Sequence, residues 1–445
     1  MIMHTTIIIS FIVAMTAYGS AFIMRPQLMF QPSLFIGSLV LVFLGSGAAF
    51  WYPEIGIDDS DSFFLRISVV LLPMLLLIWG FLIGGVAGFA YSLQGNASNQ
   101  QLETTKIILI LCIMASIMGL GMLLSVVPID QTGIYAIFFI PQEAARLREE
   151  TFKLLPSGIE KSLYTITKSV IVPIGMAAAV YIMSTSREIA WKLVAAASGA
   201  LFIVVASING ARSPMVMLLA LAFLVYLFVN WHKGMLTKIA IAAIVLLVVM
   251  VAATIIKSKG AELLLFDINQ IIHASGVAVR RVLASPFETG LWHYAYVAEH
   301  GLWPLTVIGF PMKGILGIEH INHFQEVGGW YAEINESSIL TTNLNTSFIF
   351  NQQVIFGLFT GFITAMMLAF FSELIPFMVR ILPAEVRAWV YPMMLWVLIS
   401  AVSTSLIELY FKIVLIFIVL AIVSLFVASA SKSTVWQTIK KIRKQ

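Results

Sequence analysis

The fold of this chain is decided by apolar stretches such as residues 107–127, IILILCIMASIMGLGMLLSVV. This stretch carries no charged side chain, and an α-helix of its length measures about 30 Å, which is the thickness of the hydrocarbon core of a bilayer. Inside hydrocarbon each backbone amide and carbonyl must find its partner within the protein, so the stretch must be helical. It therefore predicts a transmembrane helix, which we place at residues 106–128.

The composition extends this prediction to the whole chain. Of the 445 residues, 60% are hydrophobic and 11% are charged, which is too little polar surface for two or three soluble domains. The sequence predicts an all-α polytopic membrane protein with about eleven transmembrane helices, within a range of about 10–12. The predicted spans are residues 5–24, 33–51, 64–92, 106–128, 163–184, 190–208, 214–231, 236–256, 346–371, 388–407 and 409–430. The first lacks the basic start and the cleavage site of a signal peptide, so we expect it to be retained.

These spans divide the chain into four regions. Residues 1–256 hold the first eight predicted helices, residues 257–345 form a large extracytoplasmic loop, residues 346–430 hold the last three helices, and residues 431–445 form a basic cytoplasmic tail. A loop of this length without structure of its own is uncommon. It is rich in aromatic residues and lacks the composition of disorder, so we expect short helices that pack on the membrane or dip back toward it.

The basic residues predict the orientation. Short loops rich in lysine and arginine face the cytoplasm. The basic residues on one predicted side are Arg25, Lys106, Arg187, Lys192, Lys233, Lys238, Arg380, Arg387 and those of the tail. The opposite, outward side carries an acidic loop with Glu54, Asp58, Asp59 and Asp61. With an odd number of spans the amino terminus is then outside, and because topology explains the net charge of +4, we predict no nucleic-acid partner.

Several classes of chemistry are excluded or disfavoured by what the sequence lacks. The single cysteine, Cys112, rules out an intramolecular disulfide and a multi-cysteine metal site. No phosphate-binding loop, dinucleotide motif or soluble nucleotide-binding domain occurs, so the chain is not expected to use ATP directly. We also find no pair of interrupted helices in matching positions of two halves, a pattern typical of many secondary transporters.

Most residues suited to acid–base or phosphate chemistry fall in the predicted loop. Five of the seven histidines lie there, namely His273, His293, His300, His320 and His323. The loop also holds Arg280, Arg281, Glu288, Glu299, Glu319, Glu326, Glu333 and Glu336. In a chain with so few charges, this concentration predicts that chemistry takes place at the extracytoplasmic face.

The turn Asn209-Gly-Ala-Arg212-Ser-Pro interrupts two apolar runs. Asn-Gly and proline break helices, so we predict a tight outer turn. Arg212 either reaches the outer headgroups or faces inward, where an arginine costs about 2.5 to 3.5 kcal/mol and needs a compensating anion. A phosphate or pyrophosphate suits it, because the guanidinium group binds two oxygens at once and never loses its charge. Arg212 is therefore a candidate substrate ligand.

A second basic element is Arg280-Arg281-Val-Leu-Ala-Ser-Pro-Phe-Glu288, which follows a stretch with helical spacing of apolar residues. Adjacent side chains on a helix point about 100° apart, so at most one arginine faces an inner cavity. Either both anchor the helix at the membrane interface, or Arg281 and Glu288 are catalytic while Arg280 helps to bind the substrate.

The segment from His320 to Glu336 holds two histidines three residues apart and several glutamates. It could form a metal site on one helical face, but the spacing matches no recognised metal motif. A general base is favoured instead, because a histidine or glutamate in a partly apolar cleft can accept a proton from a sugar hydroxyl near neutral pH. His323 and Glu336 are the candidate catalytic residues, and His320 is a candidate substrate ligand.

The chain leaves the predicted loop through Thr341-Thr-Asn-Leu-Asn345-Thr-Ser347. Asn345 or Thr346 either caps the following helix or lies where the free N–H groups of a helix start bind an anion. Asn345 and Ser347 are therefore candidate substrate ligands. Gly357 and Gly361 form a small-xxx-small pair, which indicates helix packing.

Together these elements resemble the Wzy-type oligosaccharide repeat-unit polymerases, in particular the type that makes enterobacterial common antigen. The resemblance covers about residues 195–370. Its three motifs, in order, are Gly210 with Arg212, then Arg281 with Ser285, Pro286 and Glu288, then Asn345 with Ser347 and Gly357. No His-Asn pair directly precedes the helix that holds Gly357, which favours a polymerase over an O-antigen ligase.

The resemblance implies a metal-independent glycosyltransferase similar to the C-type membrane enzymes, without a cofactor, in the bacterial inner membrane and with its active site facing the periplasm. Its substrate would be undecaprenyl-pyrophosphate-linked oligosaccharide, and the growing chain would be transferred onto a new lipid-linked repeat unit. A chain-length regulator of the Wzz type and a flippase would be partners. The alternatives are an O-antigen ligase-like transferase and a transporter, or flippase, of lipid-linked oligosaccharide.

Overall fold

The structure is a computed structural model, which describes residues 2–51, 57–83, 99–140, 143, 147, 159–209, 212–231, 237, 241, 244–245, 248, 268–303, 323–334, 346–402 and 413–423. Every regular element in these ranges is a helix. Seven helical segments in the described ranges are long and apolar enough to cross a membrane. The prediction of an all-α, multi-pass membrane protein is therefore confirmed, whereas the count of eleven spans stays a prediction.

The described α-helices are α1 (Ile2–Met24), α2 (Pro32–Phe50), α3 (Asp59–Ile83), α4 (Asn99–Val126), α5 (Gly133–Phe139), α6 (Ile159–Ile166, continued by Val172–Thr185), α7 (Ile189–Ser207), α8 (Arg212–Val229), α9 (Ile268–Leu283), α10 (Ser285–His300), α11 (His323–Ile334), α12 (Phe348–Phe356), α13 (Leu358–Phe371), α14 (Ile375–Ile381), α15 (Ala384–Val397) and α16 (Ile413–Val423). Short 3-10 helices occur at Pro26–Phe30, Ile129–Gln131, Ser372–Leu374 and Leu398–Val402.

The seven candidate spans are α1, α2, α3, α4, α6, α7 and the segment Leu358–Ile381, which joins α13 to α14. The first six coincide with predicted spans. The predicted span at residues 236–256 lies mostly, and the basic tail entirely, outside the described residues. The predicted loop contains α9, α10 and α11 in its described part.

Two of the spans contain a π-helical turn. The turns are Leu41–Gly45 in α2 and Thr167–Ile171 in α6. Such turns are rare, and they occur frequently at functional sites. The turn in α6 carries Lys168, a charged residue inside an apolar helix.

The chain forms two compact units, and the first comprises Met1–Ser92, Val279–Phe377 and Val397–Val414. At one end of this unit Arg66 donates to the Ala48 carbonyl at 2.9 Å and lies 2.7 Å from His4 Nδ1. At the other end Gln31 donates to the Gly80 carbonyl at 3.0 Å. Helices α1 and α3 therefore run in the same direction, and α2 runs in the opposite one.

The second unit comprises Leu93–Ala278, Met378–Trp396 and Leu415–Gln445. At one end the buried Lys106 pairs with Glu103 at 2.9 Å and Glu188 at 2.8 Å, while Gln100 donates to Glu385 at 3.0 Å. Lys106, Arg187 and Arg387 thus share an end of this unit, which is the arrangement predicted for them. Which side of a membrane that end faces stays a prediction.

The predicted span at residues 346–371 is wrong as a single helix. The structure has α12, then Gly357 with a φ of 86°, and then α13. A Cβ atom on Gly361 would lie 2.4 Å from the Gln352 carbonyl oxygen, although nine residues of one continuous helix would separate the two by more than about 12 Å. Helix α12 therefore folds back along α13. Both segments are apolar, so composition could not reveal the reversal, which the left-handed glycine permits.

Gly361→Ala should destabilise the fold, because the added methyl group would overlap the α12 backbone rather than a movable side chain. We expect a loss of about 1–3 kcal/mol in the free energy of unfolding, the usual cost of overpacking, measured as a lower midpoint of thermal unfolding in detergent. Gly121→Ala is the matched control, since a Cβ atom on this α4 glycine meets nothing within 4 Å. Equal midpoints for the two variants would contradict the packing of α12 on α13.

Candidate functional site

Two helices of the predicted loop, α10 and α11, pack with α12 in the first unit. Their shared core contains Val297, Val327 and Val354. Gly290 brings α10 directly against the Phe350 ring, because any Cβ atom at position 290 would overlap it. The backbone N–H of Trp303, just beyond α10, donates to the Val354 carbonyl at 3.1 Å. Helices α10 and α11 of the predicted loop are therefore fixed against α12.

A buried polar pair lies within this core. His323 Nε2 and Asn351 Oδ1 are 2.9 Å apart, and the exposed fractions of the two residues are 4% and 1%. The amide oxygen only accepts hydrogen bonds, so Nε2 carries the ring proton in this pairing. Nδ1 is then the basic nitrogen of His323. Asn351 thereby selects a tautomer that can take up a proton at Nδ1.

Aromatic rings surround His323. The rings of His293 and Trp303 lie 5.5 Å and 5.9 Å from it, centre to centre, and the Phe324 ring lies at 4.0 Å. His293 is fully buried beside it. This surround, together with its 4% exposed fraction, keeps bulk water away from the imidazole.

A stack of three rings, His300, Tyr296 and Trp303, borders the pair. The Tyr296 ring lies parallel to the Trp303 ring at 5.1 Å and stacks on the His300 ring at 4.1 Å. Trp330 meets Tyr296 edge-on at 5.4 Å. Aromatic faces carry a negative quadrupole that attracts polarised C–H groups, while tyrosine and tryptophan keep a polar atom for hydrogen bonding. This aromatic stack therefore suits the C–H face of a sugar ring.

The start of α12 carries a polar strip, formed by Thr346, Ser347 and Gln352. Ser347 is the N-cap residue, yet its hydroxyl makes no capping hydrogen bond. Among the described residues, the Thr346 and Ser347 hydroxyls and both ends of the Gln352 amide lack a partner, although all three residues are fully buried. A buried polar group left unpaired costs about 1–3 kcal/mol. The polar strip therefore points to an occupant with hydrogen-bonding atoms, either water or a ligand.

Helix α12 also contacts the middle of a spanning helix. Gln353 Nε2 donates to Ser68 Oγ at 3.4 Å, and Ser68 lies about 14 Å along α3 from its start at Asp59. Non-helical backbone at such depth is tolerated only where it is buried in protein or lines a cavity. Residues Phe348 to Ile355 are all buried, so protein rather than lipid encloses the polar strip.

An ion pair lies at the start of α10. Arg280 Nη2 and Glu288 Oε2 are 3.4 Å apart, with side-chain exposures of 54% and 18%. An exposed pair of this kind contributes little stability, about 0–1 kcal/mol. Glu288, a predicted catalytic residue, therefore forms an ion pair with Arg280.

The other predicted site residues fall into three groups. His323 lies in the α10–α11–α12 core, and Ser347 lies at the start of α12. Arg281 lies near the end of α9 and Arg212 starts α8, but their side chains are not among those described. His320, Glu336 and Asn345 lie outside the described residues.

Sequence reasoning assigned no part in the site to three polar residues that lie in apolar stretches. Asn351 is part of an Asn-Gln-Gln triplet in an otherwise apolar run, and that interruption was the available signal. Arg66 and Lys168 are charges inside apolar runs, where the cost of insertion demands a partner. Lys168 Nζ donates to Asn209 Oδ1 at 3.1 Å, which brings a second cationic side chain to the turn before Arg212.

Comparisons with known proteins do not assign this site. No family model, curated protein or solved structure matches the chain. Within the described ranges, no group of three or more His, Cys, Asp and Glu side chains is arranged to hold a metal ion.

Tyr294 ties α10 to the start of α3. Its hydroxyl donates to Asp61 Oδ2 at 2.7 Å. Burial raises the pKa of Tyr294 first, and the hydrogen bond to Asp61 and the charge of Asp61 raise it further. Since the folded phenol keeps its proton above the ordinary pKa of 10.0, this contribution to stability is complete below about pH 10 and is lost as the pH rises beyond it.

Tyr294→Phe should lower the free energy of unfolding by about 1.5–3 kcal/mol at pH 8, the range for a hydrogen bond to a charged group. The gap should narrow above pH 10, because only the wild type carries the phenol whose raised pKa makes deprotonation destabilising. Thermal unfolding in detergent at both pH values measures this. Tyr135→Phe is the control, because the exchange keeps the ring that stacks on Phe139. A gap that does not change with pH would contradict the assigned role of the Asp61 contact.

Proposed function

We propose that this chain polymerises undecaprenyl-pyrophosphate-linked oligosaccharide repeat units at the periplasmic face of the bacterial inner membrane. The observation that carries the proposal is the buried His323–Asn351 pair, which lies between an aromatic stack and an unsatisfied polar strip in a multi-pass membrane protein. A glycosyl transfer needs a general base, an aromatic surface on which a sugar ring can stack, and polar groups that hydrogen-bond to sugar hydroxyls.

In this proposal His323 is the general base. The acceptor hydroxyl of the new repeat unit passes its proton to Nδ1 while its oxygen attacks the anomeric carbon of the growing chain. The bond between that carbon and the pyrophosphate oxygen breaks, and its electron pair leaves with the lipid pyrophosphate. Asn351 holds the other ring nitrogen at 2.9 Å and so keeps the imidazole in the accepting tautomer.

The departing pyrophosphate requires positive charge near the membrane surface. Preorganised cations that meet charge as it develops are usually the largest contribution to such catalysis. Arg281 is the preferred cation, because it lies in the first unit with His323 and next to Arg280. Arg212 is the alternative, and Lys168 adds charge near its turn.

The acceptor glycan is assigned to the aromatic stack and the polar strip. A sugar ring presents C–H groups to the aromatic stack at its exposed member, the His300 ring, and hydroxyl groups at its edge. Hydroxyl groups both donate and accept, so they satisfy the Gln352 amide and the Ser347 hydroxyl together. A purely anionic ligand cannot donate hydrogen bonds, and a purely apolar ligand can neither donate nor accept them.

A transporter of lipid-linked oligosaccharide is the second candidate, and α12 is the observation that favours it. Interrupted helices with half-helix ends at membrane depth are typical of transporter substrate sites. The sequence showed no such interruption, whereas Gly357 provides one. The polymerase accounts in addition for the base and its orienting amide, which transport does not require.

Arg281→Ala or, under the alternative, Arg212→Ala, each expressed singly in a source strain that lacks its own copy, should abolish long polysaccharide and cause single lipid-linked repeats to accumulate. The physical reason is that the leaving pyrophosphate loses its counter-charge. Gel ladders report chain length, and extracted lipids report repeat units. Arg187→Ala, at an exposed arginine, is the matched control and should leave the ladder unchanged. Normal ladders from both site variants would reject the assignment.

His323→Ala should slow polymerisation by about 10²–10⁴-fold, the usual contribution of a general base. The assay uses proteoliposomes supplied with purified lipid-linked repeat units. Phe324→Leu, which changes a neighbouring ring and leaves the imidazole in place, is the control and should retain most of the rate. If wild-type protein moves the lipid-linked units across the bilayer without lengthening them, the chain is a transporter and the polymerase assignment is rejected. Transfer to lipid A instead would identify a ligase.

A further inference from the structure

A buried carboxylate in the first unit takes no part in the chemistry proposed above. Glu373 lies in the 3-10 helix Ser372–Leu374 that follows α13, and its exposed fraction is 7%. It is at the same end of the unit as Gln31 and Gly80, the end that the predicted topology turns toward the cytoplasm. None of the ion pairs in the described ranges includes it.

Three elements converge on this carboxylate. Glu373 Oε1 accepts from the backbone N–H of Ser33 at 3.0 Å and from Gln31 Nε2 at 3.4 Å. The Ser33 hydroxyl lies beside the same carboxyl group. Gln31 Nε2 also donates to the Gly80 carbonyl at 3.0 Å. The start of α2, the end of α3 and the end of α13 therefore meet at one cluster of oxygen atoms.

Two acceptor oxygens of this cluster have no hydrogen-bond partner among the described residues. They are Glu373 Oε2 and Gln31 Oε1, and Gln31 is fully buried. Both atoms only accept hydrogen bonds, so neither can satisfy the other. The Ser33 hydroxyl is also unpartnered, but it has a single proton and can donate to only one of them. At least one of the two oxygens is therefore left without a positive or proton-donating group.

The charge of the Glu373 carboxylate also requires a positive partner. A buried carboxylate is strongly disfavoured unless it is paired, and the positive end of the α2 dipole supplies only about half of an elementary charge. Oxygen ligands select hard cations, and Ca²⁺ sites usually combine several carboxylates. One carboxylate with neutral amide, hydroxyl and carbonyl oxygens suits a monovalent cation.

The geometry points to a Na⁺ site formed by Glu373, Gln31 and Ser33, which ties the start of α2 to the end of α13. The ion completes the coordination of the two unpartnered oxygens and neutralises the carboxylate. This inference does not depend on the proposed function. Its competitor is a protonated Glu373, whose single proton would bridge to Gln31 Oε1 without any ion.

The test is the thermal unfolding of the full chain in detergent at constant ionic strength, with NaCl replacing choline chloride. Because Na⁺ binds the folded state, the midpoint should rise by a few degrees with the logarithm of the Na⁺ concentration. Glu373→Gln should abolish this rise. Glu385→Gln is the matched control, since that half-buried glutamate is bonded to Gln100 at 3.0 Å, and it should keep the wild-type response.

Three outcomes would overturn the Na⁺ site. The first is a wild-type midpoint that is the same in NaCl and choline chloride, a result that needs no variant. The second is a midpoint that follows pH but not Na⁺, which identifies the protonated carboxyl. The third is an undiminished Na⁺ response in Glu373→Gln. If that variant does not fold, Ser33→Ala replaces it: equilibrium binding of ²²Na⁺ should then be at least several-fold weaker than in the wild type, and equal binding would overturn the site.

Discussion

Hydrocarbon offers no hydrogen-bond partner, and this constraint organises the whole chain. It forces the spans to be helical, and it requires each polar group between them to be paired inside the protein. Arg66 meets the requirement through Ala48 and His4, and Lys106 meets it through two glutamates. The polar strip of α12 does not meet it with described protein atoms. Arg66 and Lys106 are thus paired within the protein, whereas the polar strip has hydrogen-bonding atoms that no described residue satisfies.

The sequence predicts the helical class and most span positions because hydrophobicity and length alone determine them. It could not predict the reversal at Gly357, which depends on one backbone angle between two equally apolar segments. It included His323 among the candidate bases, but it did not name Asn351, its partner 28 residues away. A pairing across that separation is set by the packing of α11 on α12, for which one sequence contains no signal. The roles of Arg281 and Arg212 stay predictions for the same reason.

Helix α13 links the two clusters of unsatisfied polar atoms in the first unit. It begins at Gly357, where α12 turns back, and it leads into the 3-10 helix that carries Glu373. Gly361 lies against the α12 backbone near one end, while Glu373 bonds to the start of α2 at the other. Helix α13 thus joins the segment that carries Asn351 to the segment that carries Glu373.

The reversal at Gly357 also affects the order in which the helices insert into the membrane and pack. Cellular insertion machinery selects segments by hydrophobic length, and the nine residues of α12 are too few to be released into lipid as a span. We therefore expect α12 to reach its packed position only after α13 has inserted and the surrounding helices have assembled. We therefore expect the His323–Asn351 contact, which needs α12 in its packed position, to form only after α13 has inserted.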